Sequence, residues 1–246
     1  NLDLSLNTFT SHEELLSFAP DFLITIGGDG TILDAVTFIR DSGIPILGIN
    51  TGRLGFLSNV SKENIRQAVE ALVQGDYAID NRHLLDLQCQ DLDLDLNFAL
   101  NEVTVSRKDT TAMVTVHTWI DGHYLNSYWA DGLIIATPTG STGYSLSCGG
   151  PIIMPGSESF VITPIAPHNL NVRPFVIPNN MEIKLKVEGR EQQFLVSLDS
   201  RIYSLDTGSE LTVKLQNFKI NMVKTEIQDF ADTLRNKLLW GLDRRN

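Results

Sequence analysis

The chain has 246 residues, of which 42% are hydrophobic and 20% charged, and its formal net charge is −11. These values are typical of a globular protein with a buried core, and the acidic surplus argues against a nucleic-acid partner, which would require clustered Lys and Arg. No apolar run approaches the roughly 20 residues of a membrane span, so no membrane partner is expected. The cysteines, Cys89 and Cys148, have no metal-binding spacing and indicate reduced thiols in a cytoplasmic protein.

The first part of the chain has a pattern of alternating strands and helices. Phe22–Ile26 is a short apolar run that ends at two glycines, as a buried parallel strand does. Thr31–Asp41 has apolar residues at helical spacing, and Ile44–Ile49 repeats the strand pattern. A second helix is predicted over Ser61–Gln74, with the serine as its cap. This βαβα order predicts a parallel sheet flanked by helices, an α/β domain over residues 1–81.

After about Asn81 the pattern changes to short β-prone segments separated by turn signals. Asp121-Gly122 is a pair typical of a type I′ hairpin. The predicted strands include Ala112–Ile120, His123–Trp129, Leu133–Thr137, Ile183–Val187, Phe194–Leu198 and Leu211–Leu215. Many short strands at close spacing predict an all-β domain, a sandwich, over residues 82–225. Residues 226–246 have a helical pattern and are expected to return to the first domain.

The turn Gly27-Gly28-Asp29-Gly30-Thr31 is the first candidate site. Glycines directly after a buried strand let the backbone approach a phosphate, and the start of the next helix favours negative charge. The turn is not the dinucleotide fingerprint, because Leu33 stands at the third glycine position, and no Walker loop pattern occurs. A carboxylate among phosphate-binding amides indicates either a metal bridged to phosphate or a base for an attacking hydroxyl. The alternative is that Asp29 caps the helix or forms an Asx turn.

The pair Asn101-Glu102 is the second candidate, because two polar residues interrupt an apolar, strand-like run. Burying them without partners would be costly. An amide beside a carboxylate can match the rim of an adenine or bind ribose hydroxyls. A strand-end pair satisfied by the backbone of a turn is the alternative interpretation.

The third candidate is Asp131–Ser147, where a strand ends at Pro138 and a run of glycines and small hydroxyl residues follows. Such a run supplies backbone N–H groups and hydroxyls without bulk, which suits ribose and phosphate. A turn and a helix cap would explain one or two of these residues but not the whole run. Tyr144 could stack on a base or belong to the core, and Asp131 could hold a ribose or amide group.

In order and approximate spacing, these three motifs resemble those of the NAD kinase family. Two later segments, Thr163–Pro174 and Ser197–Asp199, are also similar to motifs of that family. The resemblance covers nearly the whole chain from about Phe22, with Gly143 standing where many members carry Ala. Because that family begins with another strand and helix, the first domain is expected to begin before Asn1.

The resemblance implies transfer of the γ-phosphate of ATP to the 2′-hydroxyl of the adenosine ribose of NAD, which forms NADP. It also implies that NAD lies in the cleft between an α/β domain and a β-sandwich. Asp29 would act on the ribose hydroxyl, while Gly28, Gly30 and Thr31 would face the donor phosphates. The residues that would contact NAD are Asn101, Glu102, Asp131, Thr139, Thr142, Gly143, Tyr144, Ser147 and Asp199.

A divalent cation, Mg²⁺, is expected as the cofactor, since it would offset the charge of the phosphates and of an acidic protein. The sequence assigns no metal ligands. A homo-oligomer, a dimer or tetramer formed through the β-rich part, is implied by the resemblance alone.

Two other function classes remain open at this point. Lipid and sugar kinases have similar Gly-Gly-Asp-Gly turns, but the Asn-Glu pair and the hydroxyl-rich run favour NAD as the acceptor. A non-catalytic nucleotide-binding regulator could keep the same pocket. Asp29 weighs against that class, because a protein that only binds phosphate has little use for an acid there.

Overall fold

The computed structural model describes residues 8–52, 55–58, 60–109, 112–225 and 230–239. The chain divides into two compact units, Asn1–Asp80 with Ile220–Asn246 and, between them, Asn81–Lys219. The first unit combines helices with a sheet, and the second consists mainly of strands. The predicted α/β first part and β-rich second part are therefore confirmed.

The secondary-structure elements are numbered in chain order. They are α1 (His12–Ser17), β1 (Leu23–Gly27), α2 (Asp29–Ile39), β2 (Ile46–Asn50), β3 (Val60–Ser61), α3 (Ile65–Gln74), β4 (Ala78–Arg82), β5 (Leu85–Cys89), β6 (Phe98–Ala99), β7 (Glu102–Arg107), β8 (Val114–Ile120) and β9 (His123–Ala130). They continue with β10 (Gly132–Ala136), α4 (Tyr144–Ser147), β11 (Ser159–Ile165), β12 (Phe175–Pro178), β13 (Ile183–Gly189), β14 (Gln193–Leu198), β15 (Arg201–Asp206), β16 (Glu210–Leu215), β17 (Ile220–Lys224) and α5 (Phe230–Leu238).

The sheet of the first unit has the order β1-β2-β17-β4, and β3 also pairs with β2. β1, β3 and β17 all run parallel to β2, which is buried along its whole length. A parallel strand of this kind is covered on both faces, which explains why Ile46–Asn50 is almost entirely apolar. On one face, Ala68 of α3 packs against Leu47 and Ile49.

β17 lies in a different part of the fold from the one its sequence suggested. The predicted β domain extended to residue 225, whereas β17 pairs with β2, Met222 opposite Ile46, and belongs to the first unit. The reason is that an apolar strand fits either sheet equally well. Its pattern reports burial and does not identify the neighbouring strand.

The second unit consists of two six-stranded sheets whose neighbouring strands all run antiparallel. Their orders are β12-β11-β10-β7-β14-β15 and β6-β5-β16-β13-β8-β9. One apolar core is buried by residues of both sheets, such as Phe160 and Phe194 of the first and Leu185 and Val213 of the second. The inward side chains alternate with outward ones along β13 and β14, as expected where each sheet has one core face.

Local predictions for turns and caps had mixed outcomes. Asp121 and Gly122 both have positive φ, 47° and 77°, so the predicted type I′ hairpin between β8 and β9 is confirmed. Ser61 precedes a single 3₁₀ turn, Lys62–Asn64, and its side chain makes no capping hydrogen bond, so its predicted role as a cap is wrong. The backbone of the Lys62–Asn64 turn, and not a side chain, starts the helix.

The predicted C-terminal helix is present in part, as α5 over Phe230–Leu238. Residues 226–229 and 240–246, which the prediction also included, lie outside the described residues. Among the helices that the structure describes, none has the length and apolarity needed to span a membrane.

Candidate functional site

The Gly27–Thr31 turn joins the end of β1 to the start of α2. The backbone of Gly28 is extended and precedes the first helical residue, Asp29. A Cβ at Gly27 would lie 2.2 Å from Thr31 Oγ1, so this glycine is required by packing within the turn. A Cβ at Gly28 or Gly30 would meet nothing within 4 Å. The latter two glycines therefore leave open space in front of the helix N-terminus, as a backbone that approaches an anion requires.

The carboxylate of Asp29 is bound by the loop that follows β2. Oδ2 accepts the N–H of Phe56 at 2.9 Å, and Oδ1 accepts the N–H of Leu57 at 3.1 Å. Oδ1 also accepts the N–H and the hydroxyl of Ser58, at 3.0 and 3.1 Å. Hydrogen bonds to an ionised group are the stronger kind, so these four contacts fix both the side chain and the loop.

Gly55 is the residue that lets the loop approach this carboxylate. A Cβ there would lie 1.8 Å from Asp29 Oδ1, far inside van der Waals contact. Neither Gly55 nor Ser58 carried any signal in the sequence, because the contact joins residues about 27 positions apart with no motif between them. The loop is a part of the site that sequence analysis missed.

The hydrogen bonds test one alternative interpretation of Asp29, that of a helix cap. Its side chain does not cap its own helix, since α2 has no side-chain capping bond, so the cap alternative is wrong. An ionised carboxylate offers about four acceptor positions, two on each oxygen. Among the described residues Oδ2 receives only one donor, that of Phe56. One position on Oδ2 therefore remains for a proton or a cation.

Asp199 lies behind the Asn101-Glu102 pair and binds its backbone. It occupies the two-residue turn between β14 and β15 with φ 52°, a left-handed conformation that Asp tolerates better than most residues. Its carboxylate accepts the N–H of Leu100 at 2.9 Å and that of Asn101 at 2.8 Å. It also accepts the N–H of Glu102 at 3.2 Å and donates its own N–H to the Glu102 carbonyl at 3.0 Å. Its carboxylate thus shapes the turn that carries the pair.

Arg201 stabilises the same corner from the other side. Its guanidinium donates to the carbonyls of Leu96 and Phe98 and lies 5.4 Å from the centre of the Phe98 ring. Burial lowers the pKa of Arg201, although the nearby Asp199 carboxylate acts in the opposite direction. Sequence analysis did not select Arg201, because a single arginine at a strand start has no distinguishing pattern.

Glu102 differs from Asp199 in having a side-chain oxygen with no partner. Its Oε2 is buried and has no hydrogen-bond partner among the described residues. Burial raises the pKa of Glu102 to about 8, and the charge of Asp199 adds to the rise. Burial also raises the pKa of Asp199, while its three backbone N–H donors lower it. A buried polar atom without a partner is a feature that a bound ligand would satisfy.

The start of the hydroxyl-rich run is held against the Asn101 backbone. Thr137 donates its hydroxyl to the Leu100 carbonyl at 2.6 Å and its N–H to the Asn101 carbonyl at 2.9 Å. A Cβ at Gly140 would lie 2.1 Å from that same Asn101 oxygen. Gly140 is therefore required for the close approach of two backbone segments, and the run is partly structural.

The remaining residues of the run differ in their exposure. Thr139 is buried and accepts a hydrogen bond from Arg82 Nη1 at 3.2 Å. Thr142 donates to the Thr139 carbonyl at 3.2 Å. Tyr144 is 46% exposed, and Ser147 is also exposed. Tyr144 and Ser147 are thus accessible to a ligand, whereas the hydroxyls of Thr139 and Thr142 are already engaged.

Asp131 lies apart from the Asn101-Glu102 pair along the sheet. In the register of β10 with β7, Gly132 is opposite Ser106 and Ala136 is opposite Glu102. Asp131 therefore lies near the opposite end of β10, where it forms an ion pair of 3.0 Å with Arg107.

Tyr144 lies close enough to the carboxylates of Asp131 and Glu102 for both to affect the pKa of its phenol. The pKa of its phenol is raised chiefly by burial, and Asp131 and Glu102 contribute to the rise. The structure of the second unit thus brings Asn101, Glu102, Asp199 and Tyr144 into one neighbourhood, with Asp131 at its margin.

The described residues contain no group of three or more His, Cys, Asp or Glu side chains that could hold a metal ion. A magnesium ion that is held mainly by phosphates and water needs no such cage. The expected Mg²⁺ therefore stays a prediction, and no metal ligands are assigned to it among the described residues.

The fold resembles that of two solved kinases. Yeast NADH kinase in complex with NADH has a TM-score of 0.83 at 28% identity, and the match covers 90% of this chain and 67% of that one. An NAD kinase from Archaeoglobus fulgidus in complex with ATP has a TM-score of 0.77 at 31% identity, covering 94% of this chain and 84% of that one. The architecture is thus that of a class of dinucleotide kinases.

The sequence comparisons identify the family. The models of the ATP-NAD kinase N-terminal and C-terminal domains match residues 5–77 and 100–225. The NAD kinase of Flavobacterium psychrophilum is 60% identical over 97% of this chain and 82% of its own length. That of Bacteroides fragilis is 48% identical over 93% of this chain and 79% of its own length. The chain therefore belongs to the NAD kinase family.

Proposed function

We propose that this protein is an NAD kinase that transfers the γ-phosphate of ATP to the 2′-hydroxyl of the adenosine ribose of NAD, forming NADP. The observation that carries the proposal is the match of both NAD kinase domain models, one to each part of the chain. The relatives with solved structures are described in complex with NADH and with ATP, which supports the same two kinds of substrate here.

We assign the transfer step to Asp29. A ribose hydroxyl is a poor nucleophile, and a positioned carboxylate that accepts its proton typically accelerates such a step about 10²–10⁴-fold. The four hydrogen bonds from the loop hold the carboxylate in one orientation. Oδ2, which accepts only one of these four bonds, is the atom that would accept the proton of the ribose hydroxyl. A cation bound at the same position is the second role that this geometry supports.

We propose that the donor phosphates lie at the N-terminus of α2. Gly28 and Gly30 leave room there for backbone N–H groups to reach phosphate oxygens, and Thr31 adds a hydroxyl. The donor would be the magnesium complex of ATP, in which the ion offsets the negative charge of the phosphates. The described residues would then hold ATP and position it, and the ion would be held by the nucleotide.

For the acceptor, we propose contacts from Asn101, Glu102 and the accessible residues Tyr144 and Ser147. The unpartnered Oε2 of Glu102 supports this assignment most directly, because a ligand would supply the missing partner. Asp199, Thr139 and Thr142 would act mainly through the backbone and through neighbouring hydroxyls. Gly143 would keep the turn close to Glu102, and Asp131 would contact NAD from the margin of the site.

Two finer features are also proposals. The helix α5, the described part of the predicted segment 226–246, would pack on the α/β part. This is supported by the contacts of Phe56 with Phe230, 6.1 Å between ring centres, and with Lys237 Nζ, 4.4 Å from the ring centre. A homo-oligomer formed through the β-rich unit is the expected assembly. Light scattering at several protein concentrations would reveal a monomer if this expectation is wrong.

The function is tested by incubating the purified protein with Mg-ATP and, in separate reactions, NAD, diacylglycerol and fructose 6-phosphate. We expect phosphate transfer to NAD alone, detected as NADP by an NADP-specific dehydrogenase. Transfer to the lipid or the sugar would assign the protein to another kinase class. Binding of NAD and ATP without turnover would identify a regulator that retains only the pocket.

A further inference from the structure

The unpartnered oxygen of Glu102 lies close to the turn that precedes α4. Glu102 is the first residue of β7 and is paired with Ala136 of β10. A Cβ at Gly143 would lie 3.3 Å from Glu102 Oε2, so this turn approaches the carboxyl group closely. No described residue donates a hydrogen bond to this buried atom. An ionised carboxylate in such a place would be left without a compensating donor.

Asp199, which binds the backbone of residues 100–102, presents the opposite situation. Three backbone N–H groups, those of residues 100–102, point at its carboxylate. An ionised Asp199 is therefore well satisfied, whereas a protonated one would place its own hydroxyl among donors. When two buried carboxyl groups lie close together, their mutual repulsion favours one proton on the pair. The hydrogen bonds place that proton on Glu102.

We propose that Glu102 meets the acceptor nucleotide as a neutral carboxylic acid, which donates its proton in a hydrogen bond, and that Asp199 is the positioning residue that keeps it in this form. This inference rests on the proposed function, since it assumes that the acceptor is NAD. A neutral carboxyl group offers one donor and one acceptor, which matches a ribose hydroxyl that can also do both. The ionised form offers acceptors only and would repel the negatively charged dinucleotide.

Burial raises the pKa of both carboxyl groups, and backbone donors oppose the rise only at Asp199. The pKa of Glu102 is raised to about 8, by burial first and by Asp199 second. The titratable groups around it are Asp199 in the β14–β15 turn and Tyr144 in α4, beyond which lie Arg201 beside Asp199, and Asp131 and Cys148 beside Tyr144. The only cation among these groups, Arg201, is directed at the carbonyls of Leu96 and Phe98.

The sign of the pH dependence follows from the raised pKa. At pH 7 about ten in eleven Glu102 side chains carry the proton, and binding is close to full strength. At pH 9 only about one in eleven carries it, and the apparent dissociation constant rises as the inverse of that fraction. Binding of NAD should therefore weaken about tenfold between pH 7 and pH 9.

The test is calorimetric titration of the full chain with NAD at pH values from 6.5 to 9.5. The key variant is Glu102→Gln, whose amide offers one donor and one acceptor but cannot ionise. We expect the affinity of this variant for NAD to be the same at pH 7 and at pH 9. Glu210→Gln, which removes an exposed carboxylate of β16 on the other sheet, serves as the control and should keep the tenfold dependence.

Proton uptake gives a readout that a purely structural role would not change. Titrations at pH 9 in buffers of different ionisation enthalpy should show nearly one proton taken up as NAD binds to the unaltered protein, and none with Glu102→Gln. In Asp199→Asn, removal of the negative charge should lower the pKa of Glu102, so NAD binding should begin to weaken at a lower pH. If Asp199→Asn does not fold, the Glu102→Gln result still decides the question.

The possible outcomes separate this inference from the proposed function. If the protein forms NADP but the NAD affinity of Glu102→Gln falls with rising pH as it does in the unaltered chain, the inference is wrong and the proposed function stands. If Glu102→Gln binds NAD normally but loses most of its turnover, Glu102 is a base and not a donor. If the unaltered protein neither binds NAD nor forms NADP, the proposed function itself is wrong.

Discussion

Replacing Gly55 by Ala should disturb the site without altering any polar side chain. The added Cβ would lie 1.8 Å from Asp29 Oδ1 and 2.6 Å from its Cγ, where ordinary contacts begin near 3.4 Å. Relief requires the carboxylate or the loop to move by about 1.5 Å, the difference between these separations. Since Oδ1 accepts three of the four hydrogen bonds, such a movement would break most of the anchoring between Asp29 and the loop.

The cost of Gly55→Ala can be estimated from this geometry. Overpacking typically costs about 1–3 kcal/mol, and the loss of charge-assisted hydrogen bonds places this site in the upper half of that range. We therefore expect the free energy of unfolding to fall by about 2–3 kcal/mol. At about 2–4 °C per kcal/mol, the melting temperature should drop by roughly 4–12 °C. Turnover should fall as well, because the carboxylate is displaced.

The assay is denaturant unfolding together with initial rates of NADP formation. The matched control is Gly52→Ala in the same loop region, because a Cβ at Gly52 would meet nothing within 4 Å. It should change stability by less than about 0.5 kcal/mol. A double-mutant cycle identifies the collision, since in an Asp29→Ala background Gly55→Ala should cost much less than alone. Equal costs in both backgrounds would refute the proposed contact.

Two further predictions concern the turn over Asn101 and the metal. Gly140→Ala places a Cβ 2.1 Å from the Asn101 carbonyl oxygen, a backbone atom that cannot move aside easily. We therefore expect the free energy of unfolding to fall by about 3 kcal/mol and NAD binding to become much weaker. A melting temperature near that of the unaltered protein would contradict this. The described residues contain no group of side chains that could hold a metal ion, so calorimetry with MgCl₂ alone should show no tight binding. EDTA should abolish NADP formation until Mg²⁺ is restored. Tight binding of Mg²⁺ to the free protein would contradict this.

The main divisions of the fold could be predicted from the sequence because they depend on local periodicity. The strand β1, the helix after it and the Asp121-Gly122 hairpin are all specified by residues adjacent in the chain. The predicted burial of β1 is wrong, because only Thr25 of that strand is buried, while Ile24 and Ile26 are exposed. The place of β17 could not be predicted in this way, because its parallel pairing with β2 joins residues almost 180 positions apart. Apolar alternation indicates that a strand is buried and not where it is buried.

The candidate site was predictable to a similar extent. The sequence identified Asp29 and the Asn101-Glu102 pair, because unusual residue types stand inside simple patterns. It could not show that Asp29 binds the loop at residues 56–58 or that Asp199 binds the turn at residues 100–102. Both contacts use backbone N–H groups, which every residue except proline possesses and which leave no trace in the sequence.

The central proposal is that Asp29 serves the transfer of phosphate to NAD. The most direct test is a side-by-side measurement of turnover and NAD affinity for Asp29→Asn. Asparagine can keep the three hydrogen bonds at Oδ1, but its N–H₂ group takes the place of Oδ2, loses the bond from Phe56 N–H and cannot accept a proton. Ser58→Ala, which loosens the same loop and leaves the carboxylate in place, is the matched control.

If Asp29 acts on the ribose hydroxyl or on a cation bound to phosphate, Asp29→Asn should lower kcat by about 10²–10⁴-fold and leave the dissociation constant of NAD nearly unchanged. Ser58→Ala should retain most of its activity. A kcat for Asp29→Asn close to that of the unaltered protein would contradict both roles of the carboxylate and leave it only its contacts with the loop.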